Sequence, residues 1–186
     1  NAEEEVRELE KLHGPDIVSV KKLAGFAGIP VEKTTKTMVF ETEETGRLVA
    51  AGVGGDREIS EEKLKKVLGE DFYLAPPMTV REVLGTDPGY VGVVDLPEEV
   101  ELIPDLTMKG RTNFECGANE EDYHLLNVNF GRDLPEPDRF YDIRGVQEGE
   151  RCPVCGEGEL YSLKAAKISS SYPLEGSDQF DLHYTD

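Results

Sequence analysis

Apolar and polar positions alternate most clearly between Asn113 and Asp133. Thr112-Asn113-Phe114-Glu115-Cys116 and Tyr123-His124-Leu125-Leu126-Asn127-Val128-Asn129-Phe130 flank the polar turn Gly117-Ala118-Asn119-Glu120-Glu121-Asp122. Alternating runs separated by Gly, Asn and Asp predict two strands joined by a loop, with His124 inside the second. Upstream, Lys36 to Thr42 and Arg47 to Val53 predict a hairpin turned at Glu44-Thr45-Gly46. Phe72 to Ala75 and Val100 to Ile103 predict two further short strands. Pro88-Gly89-Tyr90-Val91-Gly92-Val93-Val94 predicts a glycine-punctuated loop running into a strand. Glycines there either permit a positive φ or a close backbone approach, or mark an ordinary turn.

Spacings of three and four predict the helices. Val6, Leu9 and Leu12 suggest one over residues 2–13, with acids at its positive N-terminal end and Gly14-Pro15 as its stop. Ser19 is placed to cap a second, carrying Val20, Leu23, Ala24 and Phe26 and ended by Gly28 and Pro30. Ser60 caps a third, Glu61 to Leu68, and Thr79 with Glu82 forms a T-x-x-E capping box for a brief fourth that ends at Gly85. After Asp133 the pattern fades. Phe140 to Arg144 is expected to lie along the body, Cys152 to Gly156 to form a tight turn, and the Ser-rich stretch from Ile168 to be a tail. Irregularly interleaved helices and hairpins indicate an α+β domain on a mixed sheet. The expected division is a helix or linker over 1–15, one domain over 16–160, and a weakly ordered or divergent tail over 161–186.

Composition narrows the function. The chain has 186 residues, long enough for one domain with a core that needs no disulfide staples. Three cysteines, an odd number, suit a reducing cytoplasm. No run of eighteen apolar residues and no signal-peptide pattern occurs, so a cytoplasmic protein with no membrane partner is expected. With 39 acidic against 20 basic residues the formal net charge is −19. That argues against an extensive nucleic-acid footprint of the chain's own, because phosphate contacts need clustered cations.

Candidate chemistry is sparse. Cys152 and Cys155 form half of a zinc site, but a structural zinc wants four ligands and Cys116, His124 and His183 are distant in sequence, so zinc is not expected. Cys116 and His124 fall on neighbouring strands and could form a Cys–His pair, although alternation is equally satisfied with Cys116 in the core. There is no G-x-S-x-G elbow, Walker loop or G-x-G-x-x-G. Lys36, at the start of an apolar strand, is either a solvated edge charge or a point charge for a phosphate or hydroxyl.

Several blocks together resemble the editing insertion of bacterial prolyl-tRNA synthetases. They are Val31-Glu32-Lys33-Thr34-Thr35-Lys36-Thr37, Gly55-Asp56-Arg57-Glu58-Ile59, Gly117-Ala118-Asn119, Tyr123-His124 and Asn127 to Asp133, continued by Asp142-Ile143-Arg144 and Cys152-Pro153-Val154-Cys155-Gly156. They are collinear over roughly Asp16 to Leu160. The resemblance implies a strongly curved, partly barrel-like mixed sheet flanked by short helices. It implies hydrolysis of alanine mischarged onto tRNA(Pro), by water assisted by the terminal ribose hydroxyl, with no protein nucleophile. Lys36 matches the lysine that holds the terminal adenosine. His124 and Asp105 match residues near the aminoacyl group, Thr34, Val20 and Leu23 match positions that set pocket size, and Gly89 to Val93, with Gly89 and Gly92, match a loop that positions the ester. The implied partners are the 3′ aminoacyl end of tRNA(Pro) and the remainder of a prolyl-tRNA synthetase. No cofactor is implied for editing, since ATP and magnesium serve only the synthetase core.

Val93 stands where that family's loop usually has proline, the stretch from Lys164 to the serines does not match, and the class II motifs are absent. The chain is therefore expected to be a fragment, an excised domain or a divergent stand-alone form. The competing expectation is a non-catalytic insertion that supports the synthetase fold or docks a partner.

Overall fold

The computed structural model describes residues 4–152, 155 and 157–163. In chain order it contains β1 (Glu10–His13), α1 (Val20–Ala27), β2 (Thr35–Thr42), β3 (Leu48–Gly54), α2 (Glu61–Leu68), β4 (Phe72–Leu74), α3 (Pro77–Leu84), β5 (Val100–Pro104), β6 (Phe114–Gly117) and β7 (Tyr123–Val128). Residues up to Gly145 form one compact unit and those from Val146 a second. Among the described residues of the second, Arg151 bridges Glu159 and Leu160 exchanges backbone hydrogen bonds with Gly149 and Glu150. Most of the expected tail over 161–186 lies outside the described residues.

The α+β class holds, but the sheet is neither barrel-like nor strongly curled. There are two open sheets, in the orders β1-β7-β6 and β4-β2-β3-β5. All pairs are antiparallel except β3–β5. What prevents continuity is visible where β6 meets β2. The outward N–H of Thr35, which a neighbouring strand would need, donates instead to the Glu115 carboxylate at 3.2 Å.

The four-stranded sheet is buried on both faces. Val39 and Ala50 pack on Val80 and Leu84 of α3, whereas Phe40, Val49 and Ala51 pack on Leu64 of α2 and on Ile143. This two-sided burial explains why β3 reads as a nearly unbroken apolar run. Phe114, Cys116 and Val128 form a third cluster with Val93, Met108 and Leu134. The helix ends follow the sequence: Ser19 and Ser60 are N-caps, and Gly28, Gly69 and Gly85 take the left-handed C-cap conformation. α3 starts earlier than its capping box suggests. Pro77 occupies the first turn, where its missing N–H costs nothing, so Thr79 is already inside the helix.

Two expected elements are different. Residues 4–9 are not helical and Glu10–His13 is a strand on the edge of β7. The Val6 and Leu9 side chains are exposed, so the spacing of three buries no face. An isolated helix this short is marginal in water, and its backbone finds other partners. Asn113 binds Arg7 N–H and Glu5 O, Asn127 donates to Glu8 O, and Arg132 donates to Arg7 O. The second difference is the stretch after Pro88, which forms a 3₁₀ turn over Pro88–Tyr90 and then a buried loop, with no strand over 91–94.

The β2–β3 turn carries its own acid-sensitive clasp. Glu70 accepts from the N–H groups of Glu44 and Thr45 and from the Thr45 hydroxyl, and it pairs with Arg47. The Thr45 hydroxyl first, with Arg47 and the two N–H groups, outweighs burial and holds the carboxyl down at about 2, against an ordinary 4.5. A carboxylate lowered on folding stabilises the fold fully above its unfolded pKa, and that stabilisation disappears as pH falls through the folded value. Glu70→Gln should therefore be less stable than the parent at neutral pH, and the gap should close between pH 4.5 and about 2. Urea midpoints across that range measure it.

Candidate active site

The site lies on an uncovered length of β2. Gly55 N–H donates to Thr34 O and Thr42 N–H to Arg47 O, so even-numbered residues of β2 face β3 with their backbone groups and odd-numbered ones face away. β4 covers that outer edge only from Phe40 to Thr42, with Ala75 N–H reaching Val39 O. Thr37 thus presents its N–H and C=O along the open edge. A cleft of about 350 Å³ runs there. Thr35, Lys36 and Thr37 contribute from β2, Val20 and Leu23 from α1, Gly89 and Val91 from the loop, and Glu115 and His124 from the other sheet.

Glu115 and His124 are 1% and 2% exposed, a costly place for a carboxylate, and they satisfy each other. His124 Nδ1 lies 3.0 Å from Glu115 Oε1, and Nε2 lies 3.0 Å from Ile17 O. A carbonyl only accepts, so Nε2 carries a hydrogen and donates to Ile17. One further proton is shared between Nδ1 and the carboxyl group. Burial pushes the Glu115 carboxyl up, opposed by His124 and by Thr35 N–H. Neither ring nitrogen retains a free lone pair facing the cleft. His124 therefore shapes the wall and ties down Ile17; it is not placed as a general base.

His124 reaches this face because of a bulge. Phe114 pairs with Val128 but Cys116 pairs with Leu125, so β7 holds one extra residue there, and Asn127 takes φ 60°. Strict alternation would put His124 and Val128 on the same side. The bulge sends Val128 into the core beside Cys116 and leaves His124 with Glu115.

The loop opposite is held by Asn119, which adopts φ 52°. It accepts from Gly92 N–H at 2.8 Å, donates from its side chain to Val94 O at 2.7 Å, and donates its own N–H to Tyr90 O at 3.0 Å. Gly92 and Gly117 touch backbone to backbone: a Cβ on Gly92 would fall 1.8 Å from Gly117 O. Val93, where a proline was expected, is 3% exposed and packs in the core, so the loop is fixed by these contacts.

Of the residues singled out by sequence, Lys36, His124, Val20, Leu23 and Gly89 line the cleft together, whereas Thr34, Gly92 and Asp105 do not. Lys36 pairs with Glu58, which is 80% exposed in its side chain. Thr34 is fully buried behind the cleft, its hydroxyl donating to Val31 O, and a Cβ on Gly55 would meet that hydroxyl at 2.0 Å. Asp105 is also fully buried. It accepts from Thr107 N–H on one oxygen and from Ile143 and Arg144 N–H on the other, at 2.8 to 3.0 Å. Its geometry is that of a chain fastener.

Glu115, Asn119 and Thr37 were not anticipated. Glu115 is the one whose signal was available, as a lone acid inside an apolar strand. The Cys–His alternative closes: burial pushes the Cys116 thiol up to about 12, so no useful thiolate exists at neutral pH. Cys155 accepts from Gly158 N–H at 3.4 Å. Among the described residues no group of three or more His, Cys, Asp or Glu could hold a metal ion, and no helix is long and apolar enough to cross a membrane. A roomier cavity of about 520 Å³, between Val93, Leu96, Leu134 and Tyr141, contains none of the candidate groups.

Fold and cleft together define an α+β domain with one small, charged-rimmed binding site. A crystal structure described as a candidate trans-editing enzyme for prolyl tRNA synthetase shares this fold, with a TM-score of 0.53 at 22% identity over 64% of this chain and 76% of that one. Residues 14–134 match the aminoacyl-tRNA editing domain, and the chain belongs to that family. It is 39% identical to a proline–tRNA ligase of Syntrophomonas wolfei over 99% of its own length, and 37% identical to that of Bacillus pumilus over 97%. It spans 32% of the length of each.

Proposed function

We propose that the domain hydrolyses the ester linking a small, wrongly attached amino acid, alanine first, to tRNA(Pro). The observation that carries this reading is the convergence of Lys36, the open edge at Thr37, the Gly89 loop and the Glu115–His124 pair on one cleft of about 350 Å³. Such an activity answers a physical need. A synthetic site sized for proline rejects a smaller side chain weakly, because each missing methylene is worth only ~1–3 kcal/mol, and a second site that admits only the smaller residue restores fidelity.

In this reading Lys36 anchors the terminal adenosine, Val20 and Leu23 limit the side chain, and the Gly89 loop sets the ester against the edge of β2. Thr37 N–H is placed to stabilise charge developing on the carbonyl oxygen. Water attacks, assisted by the neighbouring ribose hydroxyl; His124, with both nitrogens engaged, takes no proton. The reaction needs no cofactor. With a net charge of −19, the chain receives only the 3′ end, and the remainder of a prolyl-tRNA synthetase grips the tRNA body.

The test is deacylation of alanyl-, cysteinyl- and prolyl-tRNA(Pro) side by side. Alanyl ester should disappear well above the buffer rate while prolyl ester does not. Equal decay of all three at the buffer rate would leave the non-catalytic insertion as the better account.

A further inference from the structure

The cleft contains two hydroxyls with nothing to bind. Thr35 Oγ1 and Thr37 Oγ1 are buried and have no hydrogen-bond partner. Both residues line the cleft, and as odd-numbered positions of β2 they share the face of Val39, beside Val91 and Leu23. Buried polar atoms are nearly always paired, and unpaired ones concentrate where a ligand completes them. Thr35 itself is 8% exposed. The adjacent group is the Glu115 carboxyl, whose two oxygens each spend one lone pair, on Thr35 N–H and on His124. Each oxygen keeps a second.

We infer that Thr35 Oγ1, Thr37 Oγ1 and the Glu115 carboxylate form an acceptor site for a primary ammonium, the α-amino group of the aminoacyl ester. This rests on the reading of the cleft as the aminoacyl site. The chemistry is specific. An ammonium entering among Val20, Leu23 and Val91 must exchange water for acceptors, and a carboxylate flanked by two hydroxyl oxygens supplies three. An alanyl ammonium offers three N–H bonds, one for each. A prolyl ammonium offers two, its third direction being closed by the ring, so one buried acceptor would stay unpaired. A site built to hydrogen-bond a group discriminates against an analogue lacking it far better than an apolar pocket discriminates by size. Lys36 does not oppose the cation, because it lies on the other face of β2 and is held by Glu58. The site would thus sort primary from secondary amines in addition to sorting by size.

The test uses non-hydrolysable 3′-amide analogues of the terminal adenosine bearing alanyl or lactyl groups, which differ only in ammonium against hydroxyl. The parent protein should bind the alanyl analogue roughly tenfold to a hundredfold more tightly, the scale of a hydrogen bond to a charged group. In Thr35→Val/Thr37→Val, whose shapes and strand preferences are kept, that ratio should fall to near one through loss of alanyl affinity. Thr37→Ser, which restores a hydroxyl, should recover part of it. An unchanged ratio in the double variant, or equal binding of both analogues by the parent, overturns the inference. Deacylation of alanyl-tRNA(Pro) by the parent separates the two proposals. Cleavage with ammonium-independent binding sinks the acceptor site alone, selective binding without cleavage sinks the hydrolytic function alone, and neither binding nor cleavage sinks both.

Discussion

Asp105→Ala should destabilise the domain by about 4 kcal/mol, a large part of the ~5–15 kcal/mol that holds an ordinary domain together. The carboxylate is fully buried and accepts three backbone N–H bonds, from Thr107, Ile143 and Arg144. Each donor left unpaired costs about 1–3 kcal/mol, with some relief where Arg144 can reach water. The bonds also join distant parts of the chain: they hold the segment after Tyr141 against the end of β5, and Ile143 fills the core beside Leu64 and Ile103. Asp105→Asn keeps one acceptor oxygen and should cost roughly half as much. Chemical denaturation midpoints read both. If Asp105 instead acted on the aminoacyl group, the asparagine variant would lose deacylation rate with its midpoint unchanged.

Asp105 shows how sequence and structure divide the information. Its family resemblance locates it in the right domain, but no local pattern reveals that its partners lie 38 and 39 residues further on. The elements that were legible are those fixed by neighbours in sequence. Ser19 and Gly28 bound one helix, Ser60 bounds another, and alternation gives both strands of the β2–β3 hairpin. β1 was misread as a helix because its fate is decided by Asn113, Asn127 and Arg132, more than a hundred residues away. The Glu115–His124 pair was missed for a related reason. Period-two logic places His124 with Val128, and only the extra residue at Asn127 breaks that phase. The cleft's two walls come from different sheets, so no single stretch of sequence contains it.

Lys36→Ala should reduce hydrolysis of alanyl-tRNA(Pro) by roughly a hundredfold or more, the scale on which single charge-stabilising groups act in water-excluded sites. Stability should change by less than about 0.5 kcal/mol. The asymmetry follows from what Lys36 touches. Its ammonium meets only Glu58, a surface partner whose side chain is 80% exposed, and exposed ion pairs contribute about 0–1 kcal/mol. Losing that pair hardly matters to the fold, and exchanging it for a nucleotide oxygen costs little, so the lysine is free to serve a ligand. Lys36→Arg keeps the charge but replaces a compact ammonium by a planar fork, and should retain only part of the activity. Glu58→Gln removes the competitor and should lower KM with little effect on kcat. Single-turnover deacylation with each variant, paired with urea midpoints, separates the effects. Equal rates for parent and Lys36→Ala would remove the cation from the mechanism and leave Thr37 N–H as the remaining candidate for stabilising the transition state.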